Sequence, residues 1–278
     1  MLFLAKKLNA SRVNLLMNDF AAGLPSPLAF LGLGETIGRV LGAPHWGAGV
    51  LPILHKVDVS EGRTRAENDK KGEAFEPIEI AEDLVGSVEV SLLLAIPDCS
   101  EEHAVAEALA GRRIAGGPIH NADITVERVT LPDGSAFSKM HRGYALIPAT
   151  PPEAAVIATG AIDDLKALAA KLYPAERVPG SGWFVPVAVG HRLLEDPDKV
   201  PKRANTRDPT IPHVFVEPCV GIAELVSVRN RRLTGLTEPQ LRDLLWRWTA
   251  EGEWIVAHPN YHPDRRAAVA KEDIHGQR

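Results

Sequence analysis

The chain has 278 residues, 45% of them hydrophobic and 24% charged, with a net charge of −5. This is the ordinary composition of a globular protein able to bury a sizeable core, in one large domain or two small ones. Net acidity does not mark a nucleic-acid binder, but it averages over faces, so local basic patches have to be read one by one.

Cys99 and Cys219 lie far apart, in no metal-ligand spacing, which fits a reducing, cytoplasmic setting. In "MLFLAKKLNASR" the apolar residues precede the lysines, the reverse of a signal peptide, and no stretch is long enough to span a bilayer.

In chain order, "SRVNLLMNDF" predicts a first strand. Ser26 is a good helix cap and Pro27 suits the first helical position. Leu28, Leu31, Ile37 and Leu41 then recur near helical spacing until Gly42 and Pro44 stop the helix. Gly34, Gly38 and Gly42 share one side of it, each interior glycine costing about 1 kcal/mol relative to alanine. Close packing against a sheet would offset that cost. The run Gly32 to Gly38 fits a loose GxGxxxG fingerprint, the basis for a nucleotide-binding oxidoreductase reading. That motif needs a strand ending at its first glycine; here a cap and two prolines stand upstream, so packing is the expected role.

"GVLPILHKVDV" and "VEVSLLLAIP" predict strands, and the polar stretch between them predicts a protruding hairpin. Arg63, Arg65, Lys70 and Lys71 alternate with acids there, as in an ordinary exposed loop. "CSEEHAVAEALAG" predicts a helix capped by Ser100. "RRIAGGPIHNADITVERVTLP" gives a glycine loop and a strand. In it, Arg112 and Arg113 beside Gly116 and Gly117 suit either a phosphate approached by backbone or a plain turn with two solvated arginines.

"RGYALIPAT" predicts another strand, and "EAAVIATGAIDDLKALAAKLYP" a helix. "GWFVPVAVGHRLL" predicts a strand whose Pro186 belongs at an edge or bulge. Lys199, Lys202, Arg203 and Arg207 form a basic run before the next strand, and Arg229, Arg231 and Arg232 form another after it. Two runs flanking one strand favour an anionic partner. "LTEPQLRDLLWRWTAEGEWIVAHP" predicts a late helix capped by Thr237, then a short extended piece, with a polar tail from Asn260. Strands and helices mix without regular alternation, which is the α+β class.

Catalytic signals are weak. His258 and His262 are four apart but separated by proline, and His45 and His55 have no carboxylate companions. Ser91 and Ser181 lack a nucleophile-elbow context. No cofactor or metal is expected. The late tryptophans suit core or partner packing better than base stacking.

Taken together, "GLPSPLAFLGLGETIGRVLG", "VEVSLLLAIP", "RRIAGGPI", "RGYALIP", "GWFVPVAVG" and "RDPTIPHVFVEPCVGIAELV" resemble, in order, the second Csy protein family of type I-F CRISPR–Cas systems. The chain resembles a divergent member: Leu33 and Glu35 replace an aromatic residue and a histidine, and Leu225 follows Glu224 where the family has tryptophan.

The resemblance implies a single RAMP-like domain over 1–278, with an RNA-recognition-motif or ferredoxin-like core. It also implies a thumb-like hairpin inserted at about 58–86, peripheral additions, and a loosely packed tail at 260–278. The implied role is a non-catalytic subunit that caps the 5′ handle of the crRNA. Its implied partners are the large subunit and a nearby backbone subunit, with target DNA reached only indirectly and no membrane. RNA contacts are expected from Arg63, Arg65, Lys70, Lys71, Arg112, Arg113, Gly116, Gly117, Arg142, Lys202, Arg203 and Arg207. The rival within that superfamily is a handle-processing ribonuclease, with His120 or His141 as its base.

Overall fold

The computed structural model of the protein describes residues 1–17, 22–60, 65–71, 74–81, 84–129, 137, 140, 142–149, 166, 169–177, 179–200, 202, 203, 206, 208 and 210–259; for 65–71 and 74–81 it describes the backbone alone. The helix expected in the alanine-rich stretch lies largely outside these residues, as does the tail from Asn260.

The first strand, β1 (Leu2–Asn14), begins at Leu2 rather than at Ser11. Two bulges hide it from a period-two reading. Its register against β5 (Val85–Ala95) shifts between Ala5 and Leu8 and again between Ser11 and Val13. Lys7 and Arg12, within those shifts, sit at positive φ. Each inserted residue flips the in–out alternation that marks a strand.

Helix α1 (Pro27–Val40) forms as expected: Ser26 Oγ accepts from the Leu28 amide at 3.1 Å, and its hydroxyl donates to the Ala188 carbonyl at 2.7 Å. β2 (Gly49–Val59) follows, then β3 (Arg65–Lys71) and β4 (Ala74–Ala81), which pair only with each other among the described residues. Helix α2 (Glu102–Leu109) comes after β5. Ser100 does not cap it: its hydroxyl turns to Glu101 Oε1 at 3.1 Å, and Glu101 takes the cap position without a side-chain bond. β6 (Arg113–Ile114), β7 (Gly117–Pro118) and β8 (Thr125–Arg128) complete this half.

The second half holds β9 (Tyr144–Pro148), β10 (Trp183–Leu193) and β11 (Val216–Ser227), then a short 3-10 turn at Arg231–Leu233. The predicted late helix is only α3 (Glu238–Asp243); β12 (Trp246–Glu251) and β13 (Trp254–Pro259) replace the rest. Trp246 and Trp248 alternate with Arg247, and Gly252, at φ +58°, opens the two-residue turn. Pro186 lies beyond the β13 pairing, which covers only Gly190–Arg192 of β10, so its missing N–H leaves no ladder gap on that side.

The nine-stranded sheet is antiparallel and runs β12-β13-β10-β11-β9-β2-β5-β1-β8. A bridge from Trp246 to Val50 closes β2, β9, β11, β10, β13 and β12 into a ring. The Trp246 ring is buried, and its Nε1 donates to the Leu146 carbonyl at 2.8 Å. On the other side, β1-α1-β2 and β5-α2-β8 interleave in the order β2-β5-β1-β8. Phe30, Leu31 and Ile37 of α1 and Val105 and Leu109 of α2 bury one face of these strands against Phe3, Leu8, Val90 and Leu92. The opposite face packs Leu4, Leu51, Ile53 and Leu93 beneath Phe137, Leu233 and Leu241. Each such side chain contributes roughly 1.5–3 kcal/mol on burial. Among the described residues no helix is long and apolar enough to cross a membrane, and no cluster of three metal-ligating side chains occurs.

Candidate nucleic-acid interface

The glycines of α1 divide by what surrounds them. A Cβ on Gly34 would lie 2.7 Å from Val50 Cγ2, so this glycine lets the helix press onto β2. A Cβ on Gly38 would meet Ala43 Cβ at 3.5 Å, and Gly42 ends the helix at φ +79°. Gly32 differs, because a Cβ there would have no neighbour within 4 Å. All of these glycines except Gly42 sit inside the helix, not at a strand-to-helix turn, which removes the dinucleotide fingerprint.

Gly32 faces a groove of about 520 Å³. Ala29, Gly32, Leu33 and Thr36 form one wall, the i, i+3, i+4, i+7 stripe of α1. The loop after α2 forms the other, with Gly111, Arg112, Arg113, Ala115 and Gly116. Two motifs far apart in sequence thus face each other across one space.

The loop wall is tightly built. Ala115 and Gly116 turn β6 into β7 at φ +45° and +84°, the positive-φ pair that a tight hairpin demands. Asn14 N donates to the Ala115 carbonyl at 2.9 Å, which ties the turn to β1. Gly116 meets open space, but a Cβ on Gly117 would fall on the Ser11 carbonyl oxygen and Val13. Of the two adjacent glycines, Gly117 is therefore a packing position and Gly116 a conformational one.

Arg112 Nε donates to the Ala108 carbonyl at 3.0 Å, and Arg113 Nη1 to the Gly116 carbonyl at 2.9 Å. Each guanidinium is aimed by one backbone carbonyl, and neither forms an ion pair among the described residues. The remaining N–H donors suit an anion, above all a phosphodiester.

The other expected contacts are scattered. Arg65, Lys70 and Lys71 fall on β3, opposite Ala81, Phe75 and Ala74. Arg63 and Arg207 lie outside the described residues. Arg142 is exposed, and its carbonyl lies 3.0 Å from His55 Nδ1, whose Nε2 meets the buried Ser91 Oγ at 2.7 Å. Lys202 is exposed. The Arg203 Nη2 contacts Glu195 Oε1 and Oε2 at 2.5 and 2.7 Å, its Nε donates to the His213 carbonyl, and its guanidinium lies 4.3 Å from the Phe215 ring centre. Its donors and Glu195 tie Arg203 to the His213–Phe215 stretch. His120 Nε2 contacts Ser11 Oγ at 2.6 Å, and His141 lies outside the described residues.

Two carboxylates escape a sequence reading. Glu35, almost buried, accepts from Trp46 N at 3.0 Å and Ala48 N at 2.9 Å and fixes the loop after α1. Glu224, also buried, takes both Arg232 donors and the Gly182 amide. That hydrogen bonding raises the Arg232 pKa above its ordinary value. Burial of a charge requires a partner, but which Arg supplies it follows only from β11 and the 3-10 turn coming together.

Residues 156–255 match the family model described as CRISPR-associated protein (Cas_Csy2). The match supports a Csy2 CRISPR-associated protein of type I-F systems. None of the curated proteins compared matches the chain. The matched segment carries β10 to β12, α3 and the Glu224–Arg232 clamp, whereas the groove is built from residues N-terminal to it.

Proposed function

We propose that this chain is a Csy2-type protein: a non-catalytic, cytoplasmic subunit of a type I-F-like surveillance complex that binds and caps the 5′ handle of the crRNA. In that role it pairs with the large subunit, lies near a backbone subunit, and meets target DNA only through the assembled complex. The observation that carries the reading is the groove itself: a wall of α1 left open at Gly32, opposite two arginines with no acidic partner among the described residues. A single-stranded RNA backbone needs both close approach and neutralised phosphates.

The strand order supports a ferredoxin-like core, since β1-α1-β2 and β5-α2-β8 interleave as the two split βαβ units of that fold do. The β3–β4 hairpin, inserted between β2 and β5, suits the thumb-like element that the family resemblance implies.

The test is co-expression with the neighbouring CRISPR proteins and a guide array, then sequencing of the RNA that co-purifies. Short RNAs sharing one repeat-derived 5′ handle are expected. With Arg112→Glu and Arg113→Glu together, handle RNA should bind more weakly. The salt slope should fall by about 1.4, as expected when two phosphates of a single strand are no longer neutralised. An unchanged slope removes the groove from the RNA path.

A further inference from the structure

Beyond the far end of α1, the loop to β2 holds a tryptophan where the protein spends free energy to display it. Trp46 is 61% exposed and sits at φ +62°, in the left-handed region that bulky side chains avoid. Such a conformation persists only where its surroundings over-determine it. Here they do. The Glu35 carboxylate takes the Trp46 and Ala48 amides, and the Gly47 amide donates to the Pro44 carbonyl at 3.2 Å. The indole meets Trp248 edge-on, with ring centres 5.4 Å apart at 87°.

Beside it, Arg247 Nη1 donates to the Gly47 carbonyl at 3.3 Å. A Cβ on Gly49 would lie 3.2 Å from Arg247 Cζ, so a glycine makes room for the guanidinium. The Arg247 Nε and the Trp248 Nε1 are both buried with no acceptor among the described residues. No carboxylate among the described residues pairs with Arg247; its charged neighbour Arg242 is of like sign and is itself bonded to Glu238. Desolvation, with Arg242 adding, holds the Arg247 pKa below its ordinary value. A buried donor without an acceptor is costly, and a guanidinium more so.

We infer that Trp46, Arg247 and Trp248 form a docking site for a partner protein segment that presents a carboxylate beside an apolar side chain. The carboxylate supplies the counter-charge that Arg247 lacks, and the apolar side chain covers the Trp46 indole. Tryptophan and arginine, held rigidly beforehand, are the residues that dominate the energetics of such interfaces. This inference rests on the reading of the chain as one subunit of an assembly.

The experiment uses the full chain, tagged and co-expressed with the neighbouring CRISPR proteins and a guide array. Trp46→Ala and Arg247→Met are compared with the unaltered chain for the protein subunits retained, and the isolated chains are compared for handle RNA binding and for sedimentation. Each substitution should weaken protein retention by about tenfold or more, while RNA binding by the isolated chain stays unchanged. Added salt should weaken the unaltered assembly more than the Arg247→Met assembly. Trp46 is exposed, so its truncation keeps the test open if Arg247→Met unfolds the chain.

Equal protein retention by Trp46→Ala and the unaltered chain overturns this inference and leaves the subunit reading standing. Loss of RNA binding instead makes Trp46 a base-stacking platform, and loss of self-association makes a second copy the occupant; either overturns it. An unaltered chain that retains no protein overturns the subunit reading and this inference with it.

Discussion

Arg112 and Arg113 look in sequence like Arg203 and Arg232: basic residues in short runs near glycine or proline. Folding separates them. Arg203 and Arg232 are each gripped by a carboxylate, Glu195 and Glu224, with two contacts per pair. Arg112 and Arg113 are each aimed by a single backbone carbonyl and meet no carboxylate among the described residues. A basic run therefore announces an anion, but that anion can be the protein's own. The surrounding acids, set by topology and not by spacing, decide whether an arginine serves the fold or a phosphate.

The sharpest break between the two sets is in stability. Glu224→Ala strands the Arg232 guanidinium and the Gly182 amide, and we expect it to cost about 2–3 kcal/mol, near the low end for a broken buried pair because Arg232 is half exposed. Arg112→Ala should cost less than about 0.5 kcal/mol, as surface changes do. Urea midpoints at constant slope measure both. Equal losses would mean that Arg112 is as structural as Arg232.

The glycines of α1 allow the same kind of contrast. Gly34→Ala drives a Cβ into Val50, and overpacking of about 1–3 kcal/mol outweighs the roughly 1 kcal/mol gained in helix propensity. Gly32→Ala meets nothing and should stabilise by about 0.5–1 kcal/mol. Thermal unfolding reads the pair. Gly32→Leu extends the logic: the fold tolerates it, but it fills the groove, so handle RNA binding should fall while stability holds.

These contrasts mark what the sequence can convey. Ser26, Pro27 and the spacing from Leu28 to Leu41 make α1 legible because capping and periodicity are local. The strand β1 is not, because Lys7 and Arg12 bulge and reverse the alternation. The WRW stretch reads as helix because Leu241, Leu244 and Leu245 continue an apolar spacing into it; β13 pairing turns it into a strand. Both halves of the groove are visible as glycine-bearing segments, but their meeting is not, since it depends on α1 and α2 lying on the same face of one sheet. Glu35 is visible only as a departure from a family pattern and Glu224 only as the residue before one, at Leu225; the burial of both carboxylates is set by the fold.

A smaller effect tests the loop wall. Ala115 holds φ +45° without the side-chain bonding that lets asparagine accept that region. Ala115→Asn should stabilise the chain by about 0.5 kcal/mol, because the turn it occupies favours Asn-Gly. A loss instead would show that the Ala115 methyl packs more than its strain costs.

The smallest expected effect concerns the basic run from Lys199 to Arg207, which the fold partly neutralises from within. Asp196 pairs with Lys199 at 2.7 Å, and Asp208 Oδ1 accepts from both the Thr210 hydroxyl, at 2.6 Å, and its amide. Hydrogen bonds from Lys199 and from Thr210 hold these two carboxylates below the ordinary aspartate pKa. A carboxylate depressed in the folded state stabilises it above the unfolded value of about 3.9, and that contribution is lost as pH falls through the folded value. The loop should therefore loosen first under acid, with Asp208→Asn removing part of the pH dependence. Hydrogen exchange across 195–215 below about pH 4, where this linkage acts, measures it. If this loop does not respond to acid, Asp196 and Asp208 do not hold it, and Lys199 is as open to a phosphate as Arg112 and Arg113 are.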